Sequence, residues 1–264
     1  IVDTLFVGRY VGSLAIGAIT VNLPITFLIS SIGMAIGIGG GSVLSRAMGE
    51  NNQSKVLRTF GNQIALTLSL SVLIVLTAYF FQIPLLRLFG GKGAVLEPAL
   101  AYFQILLPAI PALAWSMMAN NVIRAEGYPR IAMFTMIIPA LSNIILDPIF
   151  IVGMDMGIEG AAWATCISYV AGALFTLIYF LFGPSEMSLS WSCIKPSWSL
   201  IKEIGKLGSV TLARQGTISL LSVVLNNSLF AFGGEMALAS YGIVSRLLMF
   251  VNFPVLGITQ GYVP

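Results

Sequence analysis

An all-α integral membrane protein is the fold class this sequence predicts, and three observations carry it. Only 9% of the 264 residues are charged and 57% are hydrophobic, whereas a soluble domain carries about 25% charge. Mean hydropathy is +0.95. Charge-free windows follow one another along the chain, each offering the roughly 20 apolar residues that a bilayer span needs at about 1.5 Å per residue. A chain this apolar cannot cover a water-facing surface, so lipid is its solvent.

Taken in order, the windows give eight spans: 1–8, 13–46, 56–82, 95–123, 129–153, 158–182, 200–232 and 236–264. The first and last are cut short, because the chain opens on IVDTLFVG and closes on LGITQGYVP inside apolar runs; this reads as a piece of a longer protein. Loops after the second, fourth and sixth spans hold Arg46, Lys55, Arg58, Arg124, Arg130, Lys195, Lys202 and Lys206. The opposite loops hold Arg9, Arg87 and Lys92, with Asp155, Glu159 and Glu235. The excess of basic residues assigns the first set to the cytoplasm, giving a multi-pass protein of the cell inner (plasma) membrane. Arg214 and Arg246 fall inside spans seven and eight.

The second span is longer than a bilayer core requires and contains GMAIGIGGGS, residues 33–42. Such glycines permit either close helix packing or a hinge. The longest break carries Pro184 and Pro196, so the expected organisation is a lobe over 1–183, a cytoplasmic linker over 184–199 and the start of a second lobe over 200–264. A shift of 224 residues supports it. Leu5, Phe6, Leu14, Ala15, Ile19, Leu23, Gly33 and Gly37 then meet Leu229, Phe230, Leu238, Ala239, Ile243, Leu247, Gly257 and Gly261 without gaps. Spans one and two would equal spans seven and eight. The repeat unit is then six helices, two such repeats run parallel, and about four further spans complete the fold.

Composition also excludes. There is no histidine, so proton chemistry must use carboxylates. Cys166 and Cys193 fit no metal or redox spacing. No P-loop or metal-ligand cluster is present, and the net charge of +3 comes without a basic stripe. No enzyme activity, no cofactor and no nucleic-acid partner are expected.

Against that background LSNIILDPIFIVG, residues 141–153, stands out, because Asp147 is the sole charge of its span. Asn143 is four residues earlier and shares its helix face, as does Pro139 a further turn back. Pro139 and Pro148 free the carbonyls of Thr135 and Ile144 and bend the helix. Pro148 also disfavours helical geometry at Asp147. A carboxylate, an amide oxygen and loosened backbone are hard ligands for Na⁺, or for a proton on Asp147. An acid at mid-span costs about 2.5–3.5 kcal/mol on insertion scales and marks function by default. Counting residues from the outer ends puts Asp147 roughly 9 Å deep, Thr165 roughly 12 Å and Asp3 roughly 8 Å, so three helices bring polar groups to one depth. A substrate cavity has a looser candidate lining in Trp115, Met118, Asn120, Asn121, Arg246 and Gln260, with Met117, Met133 and Met136 nearby; methionine-rich surfaces adapt to varied ligands.

DTLFVGR, SRAMGENN, IRAEGYPRIAM, NIILDPIFI, MGIEGAAWATCIS and LGITQGYVP occur in this order with the right span spacing. Together they resemble the multidrug and toxic compound extrusion (MATE) family. The resemblance implies twelve helices in two six-helix lobes and alternating access to a central cavity. It implies antiport, with amphipathic, often cationic drugs or toxic compounds leaving as Na⁺ or H⁺ enters. It implies a cation site at Asp3, Asn143, Asp147 and Thr165. The expected partners are small-molecule drugs and the bilayer, and a monomer is expected. A lipid-linked oligosaccharide flippase of the same broad architecture is the alternative, and it would favour a basic cavity for a pyrophosphate.

Overall fold

The computed structural model describes residues 2–185, 187 and 196–261, the side chains of 2–4 and 253–261 excepted. Its helices are α1 (Val2–Tyr10), α2 (Ser13–Gly49), α3 (Gln53–Phe80), α4 (Gln82–Leu88), α5 (Leu96–Leu106), α6 (Ile110–Ala125), α7 (Pro129–Pro148), α8 (Gly157–Phe182) and α9 (Trp198–Gly261). No strand occurs among the described residues. Six stretches among them are long and apolar enough to cross a membrane, and many of their large apolar side chains, Leu73, Phe80, Phe182 and Leu220 among them, are exposed. That is the surface of a multi-pass membrane protein, not of a domain in water.

Local chemistry explains the interruptions. The fourth expected span is two α-helices joined by a 3₁₀ turn over Leu107–Ala109, where Pro108 and Pro111 each remove an N–H from the ladder. The third span ends earlier than its apolar run, and α4 folds separately across the outer end. Spans seven and eight are one continuous helix except at Gly234, whose φ is 64°. Glycine alone adopts that conformation without strain. There the chain reverses: the first arm passes α2 at Ala35–Gly39, Pro24 and Thr20 in turn, and the second arm returns past Ile16 and Thr20.

The glycine-rich stretch of α2 is a packing surface and not a hinge. A Cβ at Gly33 would strike the Ala114 backbone of α6, one at Gly37 the Met118 backbone, and one at Gly40 the Gln63 side chain of α3. A Cβ at Gly39 would strike Ile204 of α9, and reciprocally Gly208 faces Ala35. One turn after another thus admits a different neighbour to backbone distance, and the helix stays continuous through all of them. Gln63 occupies the space over Gly40 and donates to the Ile36 carbonyl at 3.0 Å.

The 184–199 segment is pinned at both ends that the structure describes. Glu126 accepts from Tyr179 Oη at 3.0 Å and from Ser185 Oγ at 2.5 Å, and the Ser197 N–H donates to Asn62 Oδ1 at 2.8 Å.

At the opposite end, the loop between α4 and α5 docks on α9. Asn226 donates to the Phe89 carbonyl at 3.1 Å and Asn227 to that of Leu88 at 2.7 Å. Lys92 Nζ donates to Asn227 Oδ1 at 2.9 Å, and Glu235 Oε1 accepts the Ala94 N–H at 2.7 Å. Asn226 also donates to the Thr20 carbonyl, at 3.4 Å, which Pro24 leaves without its helical donor. The first helices and α9 are therefore latched together on the side assigned as external. Removing the Glu235 carboxylate should loosen this latch. In a Glu235→Ala background, Val95→Cys, buried beside Gly17, should react several-fold faster with an impermeant maleimide than in the parent. Equal rates would mean the latch does not depend on Glu235.

Candidate cation site and cavity

Asp147 is fully buried, at 0% exposure, although it stands in a helix whose other face meets lipid. Asn143, one turn earlier, donates from Nδ2 to Asp147 Oδ1 at 3.2 Å. The same Nδ2 lies 3.5 Å from Thr165 Oγ1 on α8, and the Thr165 hydroxyl donates to the Ala161 carbonyl at 2.9 Å. Carboxylate, amide and hydroxyl therefore form one row across two helices. Close packing of α7 on α8 permits it: Gly172 sits against the Pro139 ring, and Gly160 against the Phe150 backbone.

The backbone around Pro148 differs from expectation. Helix α7 continues through Asp147, and the slack is taken up afterwards by a π-turn over Ile149–Gly153, closed by the Met154 N–H on the Ile149 carbonyl at 2.9 Å. One widened turn absorbs the proline without unwinding the acid's own residue. Pro139, meanwhile, packs on Gly172 and lines the cavity described below.

The Asp3 side chain lies outside the described residues. Its helix, α1, packs against α7, the π-turn and α8, and Val7, one turn after Asp3, is buried with Ile151, Ala161 and Ala162. The Gln260 side chain also lies outside the described residues.

A cavity of about 290 Å³ opens beside this row. It is lined by Asn22, Thr26, Tyr102, Asn143, Thr165, Ser168, Tyr169 and Arg246, with Ile19, Leu23, Pro139 and Ala140 supplying apolar wall. Of the proposed substrate residues only Arg246 lines it. Trp115 instead donates to Thr176 Oγ1 at 2.9 Å inside the core. Met118 is fully buried against α2. Asn120 bridges α6 to α7 through the Ala132 carbonyl and Thr135 Oγ1, each at 2.7 Å, and Asn121 donates to its own helix at Met117. These side chains hold helices together, as intramembrane polar groups commonly do. Met133 and Met136 are exposed on α7. Sequence reasoning misses Asn22, Tyr102, Ser168 and Tyr169. The signal for Asn22 is an amide deep in a charge-free span, where it donates to the Ala18 and Ala99 carbonyls at 2.9 and 3.1 Å.

A membrane-spanning helical bundle with a buried acid beside a polar cavity is the class of protein this fold and site define. The chain belongs to the MatE family, whose model matches residues 1–149. It is 32% identical over 264 residues to the multidrug export protein MepA of Staphylococcus aureus (strain MRSA252), covering 100% of this chain and 58% of that protein. Among solved structures it resembles the MATE multidrug transporter DinF-BH, solved in complex with a dye, with a TM-score of 0.91, 37% identity, and coverage of 98% of this chain and 58% of that one. It also resembles the inward-facing conformation of a multidrug resistance MATE family transporter, with a TM-score of 0.91, 27% identity and 97% and 58% coverage. The chain thus spans less than two thirds of the length of these relatives.

Proposed function

We propose that the full protein is a cation-coupled antiporter. It exports amphipathic, often cationic compounds by alternating access between two lobes, of which 1–183 forms the first and 200–264 begins the second. The observation that carries the reading is Asp147: a fully buried carboxylate, hydrogen-bonded through Asn143 toward Thr165, at the edge of a polar cavity. An intramembrane acid so placed is a site for an entering Na⁺ or proton, and Asp3 on the adjacent α1 is the second carboxylate. Neutralising the acids removes the desolvation cost of closing the outer side, and the ion's preference for one state drives the cycle. The similarity to MepA, and to a relative solved with a bound dye, supports small organic molecules as cargo. A pyrophosphate carrier would want several cations in the cavity; Arg214 is exposed and only Arg246 lines it.

The test is efflux of a fluorescent cationic dye from cells carrying the full-length protein, with Na⁺ and pH gradients set independently. Efflux should fail when one of the two gradients is dissipated and persist without the other. Undiminished efflux with both dissipated would overturn the reading.

A further inference from the structure

The second arm of α9 presents one face to the first helices. Leu238 is fully buried and Ala239 nearly so. Gly242, one turn on, lies so close to Thr20 that any Cβ there would meet its hydroxyl. Arg246 is the next residue on this four-residue row, and it reaches the cavity that Asn143 and Thr165 also line. The docking of α9 on α2 therefore carries a guanidinium into the compartment of the cation site. Tyr102 and Tyr169 are the titratable groups beside it, the Asp147 carboxyl stands behind Asn143, and no other charged residue among those described lines the cavity. Arginine keeps its charge at any physiological pH, so this cation cannot leave by losing a proton; it can leave only by moving its helix.

Resting on the cation-site reading above, we propose that Arg246 is a tethered cation that competes with the coupling ion for the Asn143–Asp147–Thr165 site. With α9 docked, as here, the guanidinium supplies the positive charge that the buried carboxylate requires. When the lobes separate, the arm withdraws Arg246 and the site is left to Na⁺ or a proton. Coupling needs an ion that binds one state better than the other; a competitor delivered in one state alone produces that difference. It also gives the ion's entry a mechanical consequence, since a bound ion repels the returning arginine.

The experiment uses purified full-length protein, titrated with Na⁺ at constant ionic strength and, separately, with protons in the absence of Na⁺, read by intrinsic tryptophan fluorescence. Arg246→Gln should raise apparent affinity for the coupling cation about tenfold, the gain expected if the guanidinium holds the site in about nine molecules of ten. Arg246→Lys should stay near the parent. Gly242→Ala, which pushes the arm off Thr20 while leaving the arginine intact, should move affinity the same way as Arg246→Gln. Unchanged or weaker affinity in Arg246→Gln, or a lysine variant that behaves like glutamine, overturns the proposal. Should Arg246→Gln not fold, Gly242→Ala decides alone by the same criterion. Asp147→Asn separates the two readings: if it still binds the cation like the parent, the site itself is misassigned, whatever Arg246 does.

Discussion

Asp147→Asn should abolish gradient-driven efflux while leaving the protein folded and at normal abundance. The substitution keeps the shape of the side chain, and its amide oxygen can still accept from Asn143 Nδ2, as Oδ1 of the carboxylate does at 3.2 Å. What goes is the charge. An uncharged residue at 0% exposure relieves a burial cost of about 2.5–3.5 kcal/mol, so thermal stability in detergent should hold or rise. Transport should not survive, because the amide imitates the neutralised site permanently. The ion then has no differential affinity for the two states, and a ligand without that difference shifts nothing. A residual rate below about one hundredth of the parent is expected on that population argument. Full efflux from this variant would remove Asp147 from the mechanism.

Gly33→Leu should prevent the protein from being recovered as a single folded species. The Cβ alone would meet the Ala114 carbonyl and lie 3.0 Å from the Ala114 Cα. Those are backbone atoms of α6, which cannot swing aside as a side chain can. The helices would have to part, and α2 is held elsewhere by Gly37 against Met118 and by Gly40 against Gln63, so the strain has nowhere to relax. Overpacking of this kind typically costs about 1–3 kcal/mol and more when backbones are involved. Gly205→Leu is the matched control: nothing lies within 4 Å of a Cβ there, and its chromatographic profile should be that of the parent. Equal profiles for the two variants would show that α2 and α6 do not depend on this approach.

Much of the site is legible in the sequence because its pattern is local. Asn143 and Asp147 share a face by helix periodicity alone, and counting residues from the outer ends of two consecutive spans places Thr165 near them. Membrane helices make such counting reliable, since bilayer thickness gives every span a common ruler. The position that the internal repeat sets opposite Asp3 is Asn227, and its amide joins the latch on Leu88 and Lys92. Reading fails where the answer depends on how a helix is rotated about its axis. Trp115, Met118 and Asn120 have the composition of a binding surface, yet α6 turns them into contacts with α2, α7 and α8. The glycines of 33–42 suit a hinge or a seam equally well in sequence; three neighbours at backbone distance make them a seam.

The sequence by itself determined the solvent, the order of the spans along the chain, and the pairing of an acid with an amide on one helix face. Those follow from hydropathy and periodicity, which each segment carries alone. Only the tertiary structure decided that the second arm of α9 turns Leu238, Gly242 and Arg246 toward the first helices. That rotation is chosen by where small residues let two backbones meet, a property of pairs of helices that neither holds separately.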